Sequence, residues 1–258
     1  MSKAARERTA RERLAEERKR QQARNKQVKL LTAVLTAVVV VAVAVVVTVV
    51  AMNSDKSGGD GKAVSANLYK GATAPIQVEA DGTVTMGKPG IKAPTLDLYE
   101  DFQCPICKEF EKASGDTVKQ LAAEGKVTVK YHILSFVNPE GSPRAAVAGW
   151  CAADEGKFLQ FHDVAYQNQP DERKALTADV LKKFGTAAGT SANFASCVSG
   201  GKYTAQVKKN NEDGLKVLQA KYGGRAGTPS VLVNGKPIDQ NAMFDPNALE
   251  KAVTSATS

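Results

Sequence analysis

Hydrophobic and polar positions divide the chain into segments of different period. Leu30 to Met52 is a run of 23 residues without a charge, mostly Val, Ala, Leu and Thr. As a helix it would be about 34 Å long, enough to cross a hydrocarbon core of about 30 Å. A basic stretch, residues 1–29, precedes it, and Asn53-Ser-Asp-Lys-Ser-Gly-Gly-Asp-Gly follows with the composition of a flexible linker. We assign residues 1–29 to a basic cytoplasmic tail, 30–52 to a transmembrane anchor, 53–75 to a linker and 76–258 to the folded domain. The apolar run exceeds the usual 7 to 15 residues of a cleaved signal peptide, for which Val49-Val50-Ala51 would be the weak cleavage site.

Within the domain the period alternates between two and three to four. Residues 76–79 and 83–86 flank Asp81-Gly82 and predict a hairpin. Residues 95–100 predict a short strand. Cys107, Phe110, Ser114, Val118 and Leu121 recur at helical spacing, predicting one helix over 104–124 that Gly125 stops. Val127, Val129, Tyr131 and Ile133 alternate with polar residues, as in a strand. A block over about 141–222 is helical, with candidates at 144–153, 158–167, 178–184 and 203–222. Strands return at 230–233 and 236–238 around Asn234-Gly235, a strong two-residue turn. Asp245-Pro246 reads as a helix cap and first turn, with Ala248, Leu249, Ala252 and Val253 on the buried face.

Composition narrows the class. With 43% apolar and 24% charged residues in 258, the chain is neither collagen-like, fully disordered nor a disulfide-dense miniprotein. The net charge is +8, and 11 basic and 4 acidic residues in 1–29 supply +7 of it. The remainder is close to neutral, so nucleic acid is not an expected partner. The basic tail next to the apolar run predicts N-terminus inside and domain outside. Glu7, Glu12, Glu16 and Glu17 interleave with its arginines, as on a solvated helix with local ion pairs, and a topological or anionic-lipid role fits it.

All four cysteines, Cys104, Cys107, Cys151 and Cys197, follow the apolar run. Cys104-Pro105-Ile106-Cys107 opens a predicted helix directly after a strand. At a helix N-terminus, unpaired N–H groups and the helix dipole stabilise a thiolate, and a second cysteine one turn on can close a small disulfide ring. Pro105 costs no hydrogen bond at the first helical position. A zinc site would need two further ligands at suitable spacing, and neither His132 and His162 nor Cys151 and Cys197 form a second close pair. We therefore expect redox chemistry without metal or cofactor. The two histidines read as ordinary strand and helix residues.

Tyr99-Glu100-Asp101-Phe102-Gln103-Cys104-Pro105-Ile106-Cys107, followed far downstream by Gly227-Thr228-Pro229-Ser230, resembles the thioredoxin superfamily. More narrowly, residues 75–258 resemble the membrane-tethered DsbA-like thiol–disulfide oxidoreductases of actinobacteria. The resemblance implies an α/β thioredoxin fold with an inserted helical domain. It implies Cys104 as nucleophile, Cys107 as resolving thiol, and Pro229 as a cis-proline beside a Thr228 backbone that pairs with extended substrate. It also implies a structural Cys151–Cys197 disulfide. Two departures stand out. Ile106 replaces the histidine of disulfide-bond protein A, and Leu98 occupies the position of the buried acid found six residues before the first cysteine in many relatives. Glu100 and Asp101 lie nearby, and surface solvation is the simpler expectation for them.

The function expected is an extracytoplasmic oxidase, single-pass in the cell membrane, acting on reduced exported proteins as a monomer. The resemblance implies reoxidation by a quinone-linked partner of the vitamin K epoxide reductase type. An isomerase or reductase using the same cysteines is the first alternative, though the short stretch before the active-site strand leaves no room for a dimerisation domain. A membrane-tethered chaperone module holding peptide along Thr228-Pro229 is the second.

Overall fold

The computed structural model describes residues 64–257, so the basic tail, the proposed anchor and the first part of the linker lie outside the described residues. Among the described residues no helix is long and apolar enough to cross a membrane. The strands are β1 (Ile76–Val78), β2 (Val84–Met86), β3 (Thr95–Glu100), β4 (Thr128–Ile133), β5 (Ser230–Val233) and β6 (Lys236–Pro237). They form one sheet in the order β1-β2-β4-β3-β5-β6. β3 and β4 are parallel, with Leu98 opposite Tyr131, and every other pairing is antiparallel. A parallel pair needs a crossover, and the helices α1 (Pro105–Phe110) and α2 (Asp116–Glu124) supply it.

The expected single helix over 104–124 is interrupted. Glu111–Gly115 forms a π-helical turn between α1 and α2. The apolar series predicted from the spacing is nevertheless all buried. Gly125, at φ +78°, ends α2 in the left-handed region.

The helical block comprises α3 (Gly141–Asp154), α4 (Phe158–Gln167), α5 (Ala178–Ala187), α6 (Ala192–Gly200) and α7 (Thr204–Lys221). The periodicity missed α6, a short helix with only Phe194 and Val198 buried, which Ser191 caps through the Asn193 N–H. α8 (Gln240–Met243) and α9 (Pro246–Thr254) close the chain. Asp245 caps α9 by accepting from the Asn247 and Ala248 N–H groups, and Leu249 and Val253 are its buried residues. Asn234 and Gly235 both have positive φ, as the tight β5–β6 turn requires.

Successive side chains of a strand face opposite sides of a sheet, and both sides of β3 are covered. Leu96 and Leu98 join the main core, whereas Tyr99 packs in a smaller cluster with Leu134, Leu218 and Leu232 beneath α7. Residues 64–75, assigned to the linker from composition, lie along α4. The Gln167 side-chain amide exchanges two hydrogen bonds with the Asn67 backbone, and that of Asn168 does the same with Ser65. Tyr69 N–H donates to Asp163 Oδ2 at 3.0 Å.

Candidate active site

Cys104 is the N-cap of α1, with extended backbone (φ −79°, ψ 117°), and Pro105 occupies the first helical turn. Its N–H donates to the Asp101 carbonyl at 2.9 Å, which closes the turn out of β3. Both motif cysteines are free thiols, Cys104 5% exposed and Cys107 fully buried. The Thr228-Pro229 peptide bond is cis, and the Cys104 thiol donates to the Thr228 carbonyl at 3.2 Å. Residues 124 positions apart thus meet at one sulfur. Ile106 is 42% exposed, so the third motif residue presents an apolar side chain to solvent.

The two thiols are electrostatically unequal. The Cys107 side chain donates to Cys104, and the Thr228 side chain and the N–H groups of Cys107 and Ile106 add to its effect. Together they outweigh burial and bring the Cys104 pKa from 9.0 down to about 7. Burial, the Cys104 bond and the nearby Glu100 push the Cys107 thiol well above its ordinary range. Cys104 is therefore the one of the pair that ionises near neutral pH, and only the thiolate is an effective nucleophile.

Glu100 and Asp101 are not surface acids; both are fully buried. Asp101 is a structural pin. Its Oδ1 accepts from the Gln103 N–H and the Ser142 hydroxyl, and its Oδ2 from the Phe136 and Val137 N–H groups, all within 2.9 Å. One carboxylate so ties the motif loop to the segment after β4 and to the start of α3. Gln103 and Gln169 extend this frame. Gln103 bonds the Lys174 carbonyl and the Leu176 N–H, and Gln169 Nε2 reaches the Phe102 and Cys104 carbonyls at 2.9 Å.

Glu100 sits on the same face of β3 as Leu96 and Leu98. The alternation of that strand, continued to its last residue, is the signal that would have placed it in the core. Its Oε2 lies 2.9 Å from His162 Nε2, and its Oε1 has no hydrogen-bond partner. Burial, reinforced by the negative charge of Cys104, raises the Glu100 pKa well above the ordinary range and favours the protonated carboxyl. His162 is likewise no ordinary helix residue. It is fully buried among Phe102, Tyr131, Phe158 and Tyr166, and burial lowers its pKa, leaving it neutral. Nothing local marks it, because its partners come from β3 and the π turn. His132, by contrast, bonds Asp97 at 2.9 Å and stacks on Tyr99.

Glu100, Glu111 and His162 form the one group among the described residues whose ligand atoms could converge on a metal ion. Their arrangement argues against a cage. Glu100 faces His162 Nε2, whereas Glu111 Oε2 lies 3.7 Å from Nδ1. The three ligand atoms lie within 4.8 Å of one another, but the two carboxyls address different nitrogens of the ring.

Cys151 on α3 and Cys197 on α6 form a disulfide with Cα atoms 5.9 Å apart. It fastens the short α6 to the buried α3.

A Cys-Pro-x-Cys pair at a helix N-terminus, faced by a cis-proline loop on a sheet with a parallel central pair, defines a thiol–disulfide exchange site. Sequence comparison agrees: residues 79–254 match the family model described as thioredoxin, and the chain belongs to that family. Among curated relatives, it is 27% identical over 131 residues to the serine/threonine-protein kinase PknE of Mycobacterium tuberculosis, a match covering 45% of this chain and 23% of the kinase. The chain thus spans about a quarter of the length of those relatives. Among solved structures, the MdbA thiol-disulfide oxidoreductase of Corynebacterium matruchotii superposes with a TM-score of 0.61 at 25% identity, covering 69% of this chain and 93% of that one. Oxidised Mtb DsbA superposes at 0.52 and 31% identity, covering 65% and 87%. These two structural neighbours are DsbA-like thiol–disulfide oxidoreductases of actinobacteria.

Proposed function

We propose that this protein is an extracytoplasmic thiol oxidase that introduces disulfides into exported proteins. The observation that carries the exchange chemistry is the inequality of the two thiols, with Cys104 drawn down to about 7 beside the Thr228 carbonyl while Cys107 is buried and pushed up; the oxidising direction rests on the features given below. Substrate thiolate attacks Cys104 of the oxidised pair, the Cys104–Cys107 bond breaks, and Cys107 leaves with the electron pair and takes a proton. A second substrate thiolate then attacks the substrate sulfur of the mixed disulfide and releases Cys104 as thiolate. Two electrons pass from substrate to enzyme. The neutral Glu100 is the buried acid that serves Cys107, standing in for the acid that Leu98 cannot supply. The edge at Thr228-Pro229 would receive extended polypeptide by backbone pairing.

The oxidising direction is supported by the company the site keeps. A structural Cys151–Cys197 disulfide persists in oxidising compartments and is rare in the cytosol. The uncharged run at 30–52, with basic residues before it, would anchor the domain outside the membrane. We further propose a membrane quinone-linked reoxidase of the vitamin K epoxide reductase type as the electron acceptor, and a monomeric enzyme. The test is oxidation of a reduced dithiol peptide by the purified oxidised protein. Activity should vanish in Cys104→Ala. Retained activity would refute the mechanism, and a redox potential near that of reducing thioredoxins would favour a reductase.

A further inference from the structure

The buried polar atoms without hydrogen-bond partners include Glu100 Oε1, His162 Nδ1 and the Tyr166 hydroxyl. Buried polar groups are almost always paired, and unpaired ones call for an explanation. Glu100 and His162 belong to a continuous file of ionisable groups. From Glu100 Oε2 it passes 2.9 Å to His162 Nε2, across the ring, and 3.7 Å from Nδ1 to Glu111 Oε2. Glu111 Oε2 lies 3.8 Å from Lys119 Nζ, which is 2.7 Å from Asp163 Oδ1. Asp163 is held by the Tyr69 N–H of the segment lying on α4. The file ends in a cavity of about 650 Å³ lined by Tyr69, Lys108, Glu111, Lys119, Asp163 and Tyr166. Neither cysteine nor Thr228 lines that cavity.

The local fold is built around Glu111. It opens the π turn, an irregularity frequent at functional sites. A Cβ placed on Gly115 would lie 2.4 Å from Glu111 Oε2, and its three nearest atoms all belong to the Glu111 carboxyl. Gly115 thus has an ordinary helical backbone, and its missing side chain is the space the Glu111 carboxyl occupies.

We propose that His162 and Glu111 relay protons between Glu100 and this cavity, so that the disulfide exchanges its proton with solvent away from the bound substrate. The inference rests on the oxidoreductase reading above. When the Cys104–Cys107 bond opens, Cys107 takes the proton of Glu100, whose charge acts on it and whose unpartnered Oε1 must close to hydrogen-bond distance for the transfer. Glu100 recovers one from His162 Nε2, His162 Nδ1 takes one from Glu111, and Glu111 is replenished by cavity water. On reoxidation each transfer runs backwards, and the imidazole returns to its first tautomer. The Nδ1–Glu111 contact is longer than a hydrogen bond and must shorten by about 0.7 Å at transfer. The charged and titratable groups facing the file are Cys104, Cys107, Tyr131, Tyr166, Lys119, Asp163 and Asp116. Burial raises the Glu111 pKa to about 7, with Glu100 adding to it, so it can both give and take a proton near neutrality.

The test uses the purified full chain and follows reoxidation of the reduced pair by oxidised glutathione, between pH 5 and 9, in H₂O and D₂O. Glu111→Gln and Gly115→Ala should each slow it tenfold or more at pH 6–7, with the deficit shrinking towards pH 9 as hydroxide deprotonates Cys107. Wild type should show a solvent isotope effect above twofold that both variants alter. Both variants should stay folded, read as an unchanged far-ultraviolet circular dichroism spectrum, and both should keep wild-type alkylation of Cys104. Wild-type rates and isotope effects in both variants would overturn the relay, as would loss of Cys104 alkylation along with the rate. If Glu100→Gln alone is slow, the relay fails and the oxidase reading stands; if Cys104→Ala stays active, the oxidase reading itself fails.

Discussion

Replacing Cys107 by alanine separates the two causes that set Cys104 reactivity. The bond from the Cys107 side chain is the largest influence lowering the Cys104 pKa to about 7. Without it the value climbs towards 9. In the limit of a full return, the thiolate fraction at pH 7 falls from about one half to about 1%, a factor of roughly 50. Thiolates of higher pKa are better nucleophiles, and for two pKa units a Brønsted slope of about 0.45 returns roughly eightfold. The net effect at pH 7 is alkylation about sixfold slower. At pH 9 the wild type is almost fully ionised and the variant about half, so the better nucleophile wins and the variant reacts about fourfold faster. The Thr228 and backbone contributions remain, so these figures are upper bounds, but the crossing of the two profiles is not. Iodoacetamide kinetics from pH 5 to 10, with thiolate absorbance as a second probe, measure it. Parallel profiles, or a wild-type midpoint at 9, would refute the account of how this site activates its sulfur.

Other outcomes follow from the same geometry. The Glu111 pKa is raised in the fold from 4.5 to about 7, so its contribution to stability is complete below pH 4.5 and lost as pH rises to 7, at most about 3 kcal/mol. Glu111→Gln should remove that part of the decline in urea unfolding between pH 4.5 and 7, and an unchanged slope would contradict it. Breaking the Cys151–Cys197 bridge, whose ends are 46 residues apart, should cost about 4 kcal/mol in the chain-entropy model; a Cys151→Ala/Cys197→Ala double variant with an unaltered melting temperature would show otherwise. Gly141→Ala would place a Cβ 1.6 Å from Gln103 Oε1 and 2.5 Å from the Leu176 nitrogen. Losing the Gln103–Leu176 bond and overpacking the site should cost about 3 kcal/mol, readable as a lower urea midpoint.

What the sequence determined by itself is what depends on neighbours in the chain. The period of β3 and β4, the Asn234-Gly235 turn, the Asp245 cap and the placement of Cys104 at a helix N-terminus are local, because backbone conformation and helix ends are set within a few residues. The distant Thr228-Pro229 was legible only through resemblance. The tertiary structure decided which polar residues left water. Glu100 and Asp101 look like a solvated pair because two adjacent acids at a strand end are ordinarily exposed. Here the main core packs on one face of the sheet and the cluster beneath α7 on the other, so neither has solvent to reach. His162 gains its meaning from Glu100, 62 residues away, and Glu111 from a π turn that a regular period cannot announce. Burial is a property of surfaces brought together from distant parts of the chain, and charge state follows burial. The sulfur pair could therefore be read from the order of residues, while the protonation that serves it could not.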